Sequence, residues 1–96
     1  MLACGAMPID RDEVLRSWRA RGFHGGLWVD PPGQRWEDFV HGDDELFMLV
    51  EGDLELEVGG RAFRPRPGEE ILIPARTRHS VRNLGSTTAR WLYAYG

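Results

Sequence analysis

The sequence predicts an all-β domain, an antiparallel sandwich or barrel, with one short α-helix ahead of it. Three observations carry this. About eight short β-type segments run from Gly25 to the C-terminus, separated by turn residues at close, regular spacing. One segment of helical period, with its own start and stop signals, precedes them. No linker, repeat or low-complexity stretch divides the 96 residues, which suit one domain. The expected organisation is an N-terminal segment carrying the helix, residues 1–24, and a β-barrel, residues 25–96.

Asp10 followed three residues later by Glu13 is a helix start of the capping-box kind. Val14, Leu15 and Trp18 then share one helical face, with Arg11, Arg16 and Arg19 outside it. Gly22 ends the helix, whose apolar face predicts packing on the outside of the β-domain. The expected strands are Leu27 to Val29, Trp36 to His41, Glu45 to Val50, Leu54 to Val58, Arg61 to Arg64, Glu70 to Ile73, Ser80 to Asn83 and Ala89 to Tyr95. Pro31, Pro32 and Gly33 stop the first, Gly42 to Asp44 make a turn, and Gly59-Gly60 is a two-residue hairpin signal. The segment from Glu45 to Glu51 is apolar on both faces, with Phe47 and Leu49 on one and Leu46, Met48 and Val50 on the other. A strand half in water alternates, so this one is covered on both sides. Its outer cover is the N-terminal helix or a second subunit, and the second option predicts a homodimer.

A chain of this size buries a modest fraction of its surface, so a metal or a partner chain would help it. The single cysteine, Cys4, excludes an internal disulfide and fits a reducing cytoplasm. Cys4 reads as an ordinary residue of a mobile N-terminus. A net charge of −3 gives no electrostatic footprint for nucleic acid. No apolar run approaches membrane-spanning length. The charge is unevenly spread: Asp30 to Glu57 holds ten acids and one Arg, whereas Val58 to the end holds seven Arg and two acids. Strands from the two halves are therefore expected to pair with opposite charges facing.

A tight turn joins the strand ending at His41 to the strand starting at Glu45, which brings their side chains together at one sheet end. Glu45 shares its face with Phe47 and Leu49. If that face is the interior, Glu45 is a carboxylate in an apolar cavity, costly unless a metal, an Arg or a protonated His pairs with it. His79 is the other histidine near a strand that could reach it. His24, in a Gly-rich loop, reads as a solvated bystander. Glu37 shares the ideal-strand face of Phe39 and His41 and is a remoter ligand or base candidate.

The segment from His41 to Gly52 resembles the second half of the first cupin motif: a His, three or four residues, a Glu, six residues and a Gly. The segment from Gly68 to Asn83 resembles the second motif, with Gly68, Pro74, His79 and Asn83 in register. The 15 residues between Gly52 and Gly68 match the short gap of small single-domain cupins of the conserved-barrel, cupin 2 type. The resemblance covers roughly residues 27 to 95. It implies a double-stranded β-helix, or jelly-roll barrel, with His41, Glu45 and His79 as metal ligands. Two positions depart from the pattern. Phe39 stands where the family has a further His ligand, and Arg76 stands at a Gly of the second motif, which predicts a reshaped turn before His79.

Two histidines and a carboxylate suit Fe(II), and also Mn, Ni or Zn. Candidate pocket-lining residues are Phe39, Trp36, Phe47, Asn83 and Tyr93, with Trp91 and Tyr95 as core or wall. Three functions remain open on the sequence alone. The first is a metal-dependent dioxygenase, isomerase or hydrolase of a small molecule. The second is a metal-free barrel that binds or senses a small ligand without turnover, which the loss of a ligand at Phe39 favours. The third is a dimeric scaffold with a vestigial site.

Overall fold

The computed structural model describes residues 9–96, so Cys4 lies outside the described residues. Among the described residues one helix, α1 (Arg11–Ala20), precedes eight strands: β1 (His24–Asp30), β2 (Arg35–Phe39), β3 (Glu45–Glu51), β4 (Glu55–Val58), β5 (Arg61–Phe63), β6 (Glu70–Ile73), β7 (His79–Arg82) and β8 (Ala89–Tyr95). They form two antiparallel four-stranded sheets, ordered β1-β8-β3-β6 and β2-β7-β4-β5. The sheets face each other across a core of Phe47, Leu49, Leu54, Leu56, Ile73, Val81, Ala89 and Trp91. This is the β-sandwich or barrel that the spacing of strands and turns predicts.

The helix begins where its cap is written. The Asp10 side chain accepts the Glu13 backbone N–H at 3.1 Å, and Gly22 leaves the helix at φ 92°. Trp18 is its buried residue and packs with Leu46, Met48, Leu92 and Ala94, flanked by Val14 and Leu15. The second apolar face of β3 is therefore covered by α1, within the chain. The observation that predicted a homodimer is accounted for without a second subunit.

The opposite charges meet as expected. Arg82 on β7 reaches Glu37 on β2 and Glu55 and Glu57 on β4, at 2.9, 2.8 and 2.8 Å. Arg90 on β8 meets Glu51 on β3 at 3.2 Å. Gly59 and Gly60, both at positive φ, make the β4–β5 hairpin. At Gly52 (φ 96°), a Cβ atom would stand 2.8 Å from the Ala89 Cα, so the β3–β4 turn needs glycine there.

Three local expectations need correction. First, β1 starts at His24, so His24 is an exposed strand residue paired with Tyr95 and is not in a loop. Second, β2 ends at Phe39, and His41 sits beyond it in the β2–β3 connection. Between Trp36, paired with Val81, and Phe39, paired with His79, the ladder slips by one residue. This bulge, with Asp38 at φ 59° and its N–H on Ser80 Oγ at 2.9 Å, reverses the strand's alternation. Trp36 and Phe39 thus both face inward, while Glu37 is carried outside to Arg82. Third, Arg76 takes its place in the turn without a change of backbone class. It adopts the left-handed conformation that glycine would favour, at φ 60°, and donates its N–H to the His41 carbonyl at 2.7 Å.

Candidate metal centre and its aromatic cavity

Glu45 opens β3 with its side chain inward, and His79 opens β7 on the facing sheet. His41 reaches the same point from the β2–β3 connection. Its carbonyl takes the Arg76 N–H, and the Asp44 carboxylate takes the Ala75 N–H at 2.7 Å. These two bonds tie the loop before Glu45 to the loop before His79. One ligand-type atom from each of His41, Glu45 and His79 lies within 4.8 Å of the others. Glu45 Oε1 stands 3.4 Å from His79 Nε2 and 3.8 Å from His41 Nε2.

The hydrogen bonding of this cluster is incomplete in an informative way. Glu45 Oε1 is buried and has no hydrogen-bond partner among the described residues. His79 Nδ1 lies 3.1 Å from the Thr77 carbonyl oxygen. A carbonyl only accepts, so Nδ1 carries a proton. In the neutral ring Nε2 is then a bare lone pair facing a carboxylate oxygen. That arrangement is repulsive unless the ring is protonated or a cation lies between the two atoms. The ring does favour its charged form: burial opposes protonation, but the Glu45 carboxylate and the Thr77 carbonyl outweigh it, and the His79 pKa is raised. A divalent ion answers the same need. Two nitrogen or oxygen ligands each about 2.1 Å from an ion sit roughly 3–3.5 Å apart, which the 3.4 Å between Glu45 and His79 matches, and His41 would close in by a small movement. The Nδ1–H bond to Thr77 is also the outer contact that fixes the tautomer of a metal-ligating histidine. The donor set therefore fits a divalent transition metal.

A fourth polar group stands beside the cluster. The Tyr95 hydroxyl lies 3.4 Å from His41 Nε2. Burial, then the charge of Glu45 and the neighbouring Tyr93, push its pKa up to about 12, so it keeps its proton at neutral pH. Phe39, at the position of the missing histidine, stacks on His41 with centroids 6.0 Å apart and planes at 10°.

These groups form the polar end of a cavity of about 280 Å³. Its remaining walls are aromatic or apolar: Trp28, Trp36, Phe39, Val81, Trp91 and Tyr93. Of the lining residues expected from sequence, Phe39, Trp36 and Tyr93 stand on this wall. Phe47 and Asn83 do not. Phe47 is one step deeper, fully buried beneath Trp91 with ring centroids 4.9 Å apart. Asn83 leaves the inner face because β7 ends at Arg82, and it clips the β1–β2 and β7–β8 connections together. Its amide donates to the carbonyls of Asp30, Pro31 and Thr87 at 3.2, 3.1 and 2.9 Å, and its oxygen accepts the Gly85 N–H. Trp28 was not legible as a wall residue. Its strand is short in the sequence pattern, and no alternation marks which face it takes.

The family model described as the cupin domain matches residues 26–95. The chain is a cupin. Among curated relatives it is 36% identical over 69 residues to the polyketide synthase CurC of Streptomyces cyaneus, covering 71% of this chain and 45% of that protein. It is 33% identical over 72 residues to protein SchB of Streptomyces halstedii, covering 74% of this cupin and 52% of SchB. The chain thus spans about half the length of these relatives. Among solved structures, the cupin domain of Schizosaccharomyces pombe Cnp3 superposes with a TM-score of 0.72 at 21% identity, over 77% of this cupin and 55% of that chain. That likeness concerns the fold.

Proposed function

We propose that this cupin holds a divalent transition metal (Fe, Mn, Ni or Zn) at His41, Glu45 and His79, and binds a small molecule against it in the aromatic cavity. The observation that supports the reading is the partnerless buried Oε1 of Glu45, facing a His79 Nε2 whose proton is already committed on the other side of the ring. The aromatic walls suit a flat, unsaturated ligand body, and the polar end suits ligand oxygens. CurC is a polyketide synthase by name, and a polyketide-derived aromatic or polycarbonyl compound is the ligand class proposed here. A bound metal would supply Lewis acidity toward a ligand carbonyl. The chain's own contributions are separate: Tyr95 offers a retained O–H to a ligand oxygen, and the indole and phenyl walls exclude water from the bound body.

The test is elemental content by mass spectrometry on protein purified without chelator or affinity metal. Near-stoichiometric metal in the parent, lost in both His79→Ala and Glu45→Gln, is the expected result. No metal in the parent after reconstitution with Fe(II), Mn(II), Ni(II) and Zn(II) would sink the metal reading. A second reading, a metal-free small-ligand barrel without turnover, is favoured by Phe39 in place of a ligating histidine and would then stand.

A further inference from the structure

Asp30, at the end of β1, is a buried carboxylate with no part in the proposed metal chemistry. Its relative exposure is 1%. Such a charge is costly to bury unless it is fully hydrogen-bonded. Its partners are three indoles. Trp28 Nε1 and Trp36 Nε1 donate to Oδ1 at 2.9 and 3.0 Å, and Trp91 Nε1 donates to Oδ2 at 3.1 Å. Trp28 and Trp91 belong to one sheet and Trp36 to the other, so the carboxylate also ties the sheets together beside the cavity. An indole N–H is donor only. With all three drawn to Asp30, these wall residues have no N–H left for a ligand and offer it carbon surface.

We propose that Asp30 is the positioning residue of this cavity. It fixes the three indoles in one arrangement, Trp28 and Trp36 edge-to-face at 5.7 Å, and thereby selects flat apolar ligand bodies over puckered ones. The selection rests on the ligand-site reading above, whereas the clamp itself does not.

The experiment uses the 96-residue chain and two probes of like size, planar 1-naphthol and puckered decahydro-1-naphthol. Indole N–H signals are followed by NMR. The chain has four tryptophans, and Trp18, on the buried face of α1 and bonded to Glu70 at 2.8 Å, serves as the internal reference. In Asp30→Asn, the signals of Trp28, Trp36 and Trp91 move and that of Trp18 does not. The variant's 1-naphthol affinity falls about tenfold while decahydro-1-naphthol affinity stays within about twofold. Unmoved wall signals, or parallel loss of both probes as a general loosening would give, overturn the proposal. Binding of neither probe by the parent overturns the selecting role together with the aromatic-ligand reading. A parent preference that survives Asp30→Asn overturns the role of Asp30 alone. Should Asp30→Asn not fold, Trp28→Phe decides. Trp28 also packs on Trp91, so the readout is the one-bond N–H coupling, which follows hydrogen bonding and not ring currents: with Oδ1 serving Trp36 alone the Trp36 coupling changes while that of Trp18 holds, and an unchanged Trp36 coupling overturns the clamp.

Discussion

Glu45 and His79 carry opposite consequences for the metal-free and metal-loaded protein. His79 has a raised pKa in the fold. A raised folded pKa contributes stability that is complete below the unfolded value, about 6.5, and is lost as pH rises through the folded value. Metal-free protein is therefore expected to lose stability on the alkaline side of the histidine range, and urea midpoints against pH would show it. Glu45→Gln should flatten that slope, because the carboxylate that raises the pKa is gone. Metal binding runs the other way. The proton competes for His79 Nε2, so affinity is expected to fall as pH drops into the same range, read by titration with Zn(II). At Arg76 the turn before His79 is held at positive φ by a side chain that disfavours it. Arg76→Gly should stabilise by about 0.5–1 kcal/mol, the relief of left-handed strain less the entropy glycine loses. An unchanged or lower urea midpoint would show that the Arg76 side chain does more than occupy the turn.

Among the elements, β2 decides the shape of the cavity. Without its bulge, Trp36 would face away from Phe39, and Glu37 would turn in beside Phe39. The bulge is held by the buried Ser80 hydroxyl, which accepts the Asp38 N–H. Ser80→Ala removes that acceptor and should cost about 1–3 kcal/mol, the penalty for leaving an amide unpaired. Denaturant unfolding would measure it, and a cost near zero would mean that the ladder on either side sets the bulge. The helix α1 is the other deciding element, since it covers the outer face of β3 that the strand pattern leaves apolar.

Across the whole molecule, one sheet separates two apolar clusters, the inner core beside the cavity and the outer layer under α1. Both are needed in so short a chain, whose total stability is expected to be about 5–15 kcal/mol. Trp18→Ala removes the largest buried side chain of the outer layer and should cost about 3–5 kcal/mol. The resulting exposure of Leu46, Met48 and Leu92 would appear as dye binding or self-association in light scattering. A small loss with no new association would mean that α1 is a loosely held cover.

The sequence by itself determined the eight strands, the capped helix, the two-faced strand and the pairing of acidic with basic segments, because each is written in local period, turn chemistry or charge. It also brought His41 and Glu45 together, since a tight turn joins them, whereas His79 joined the group through the resemblance to the second cupin motif. Tertiary structure alone decided the rest. The β2 bulge arises from pairing with β7, which no local pattern reports, and it turned Trp36 inward and Glu37 outward. Asn83 left the inner face because its strand ended one residue earlier. Asp30 gathers indoles from three strands, and the one from β8 comes from 61 residues away, a convergence with no local signature.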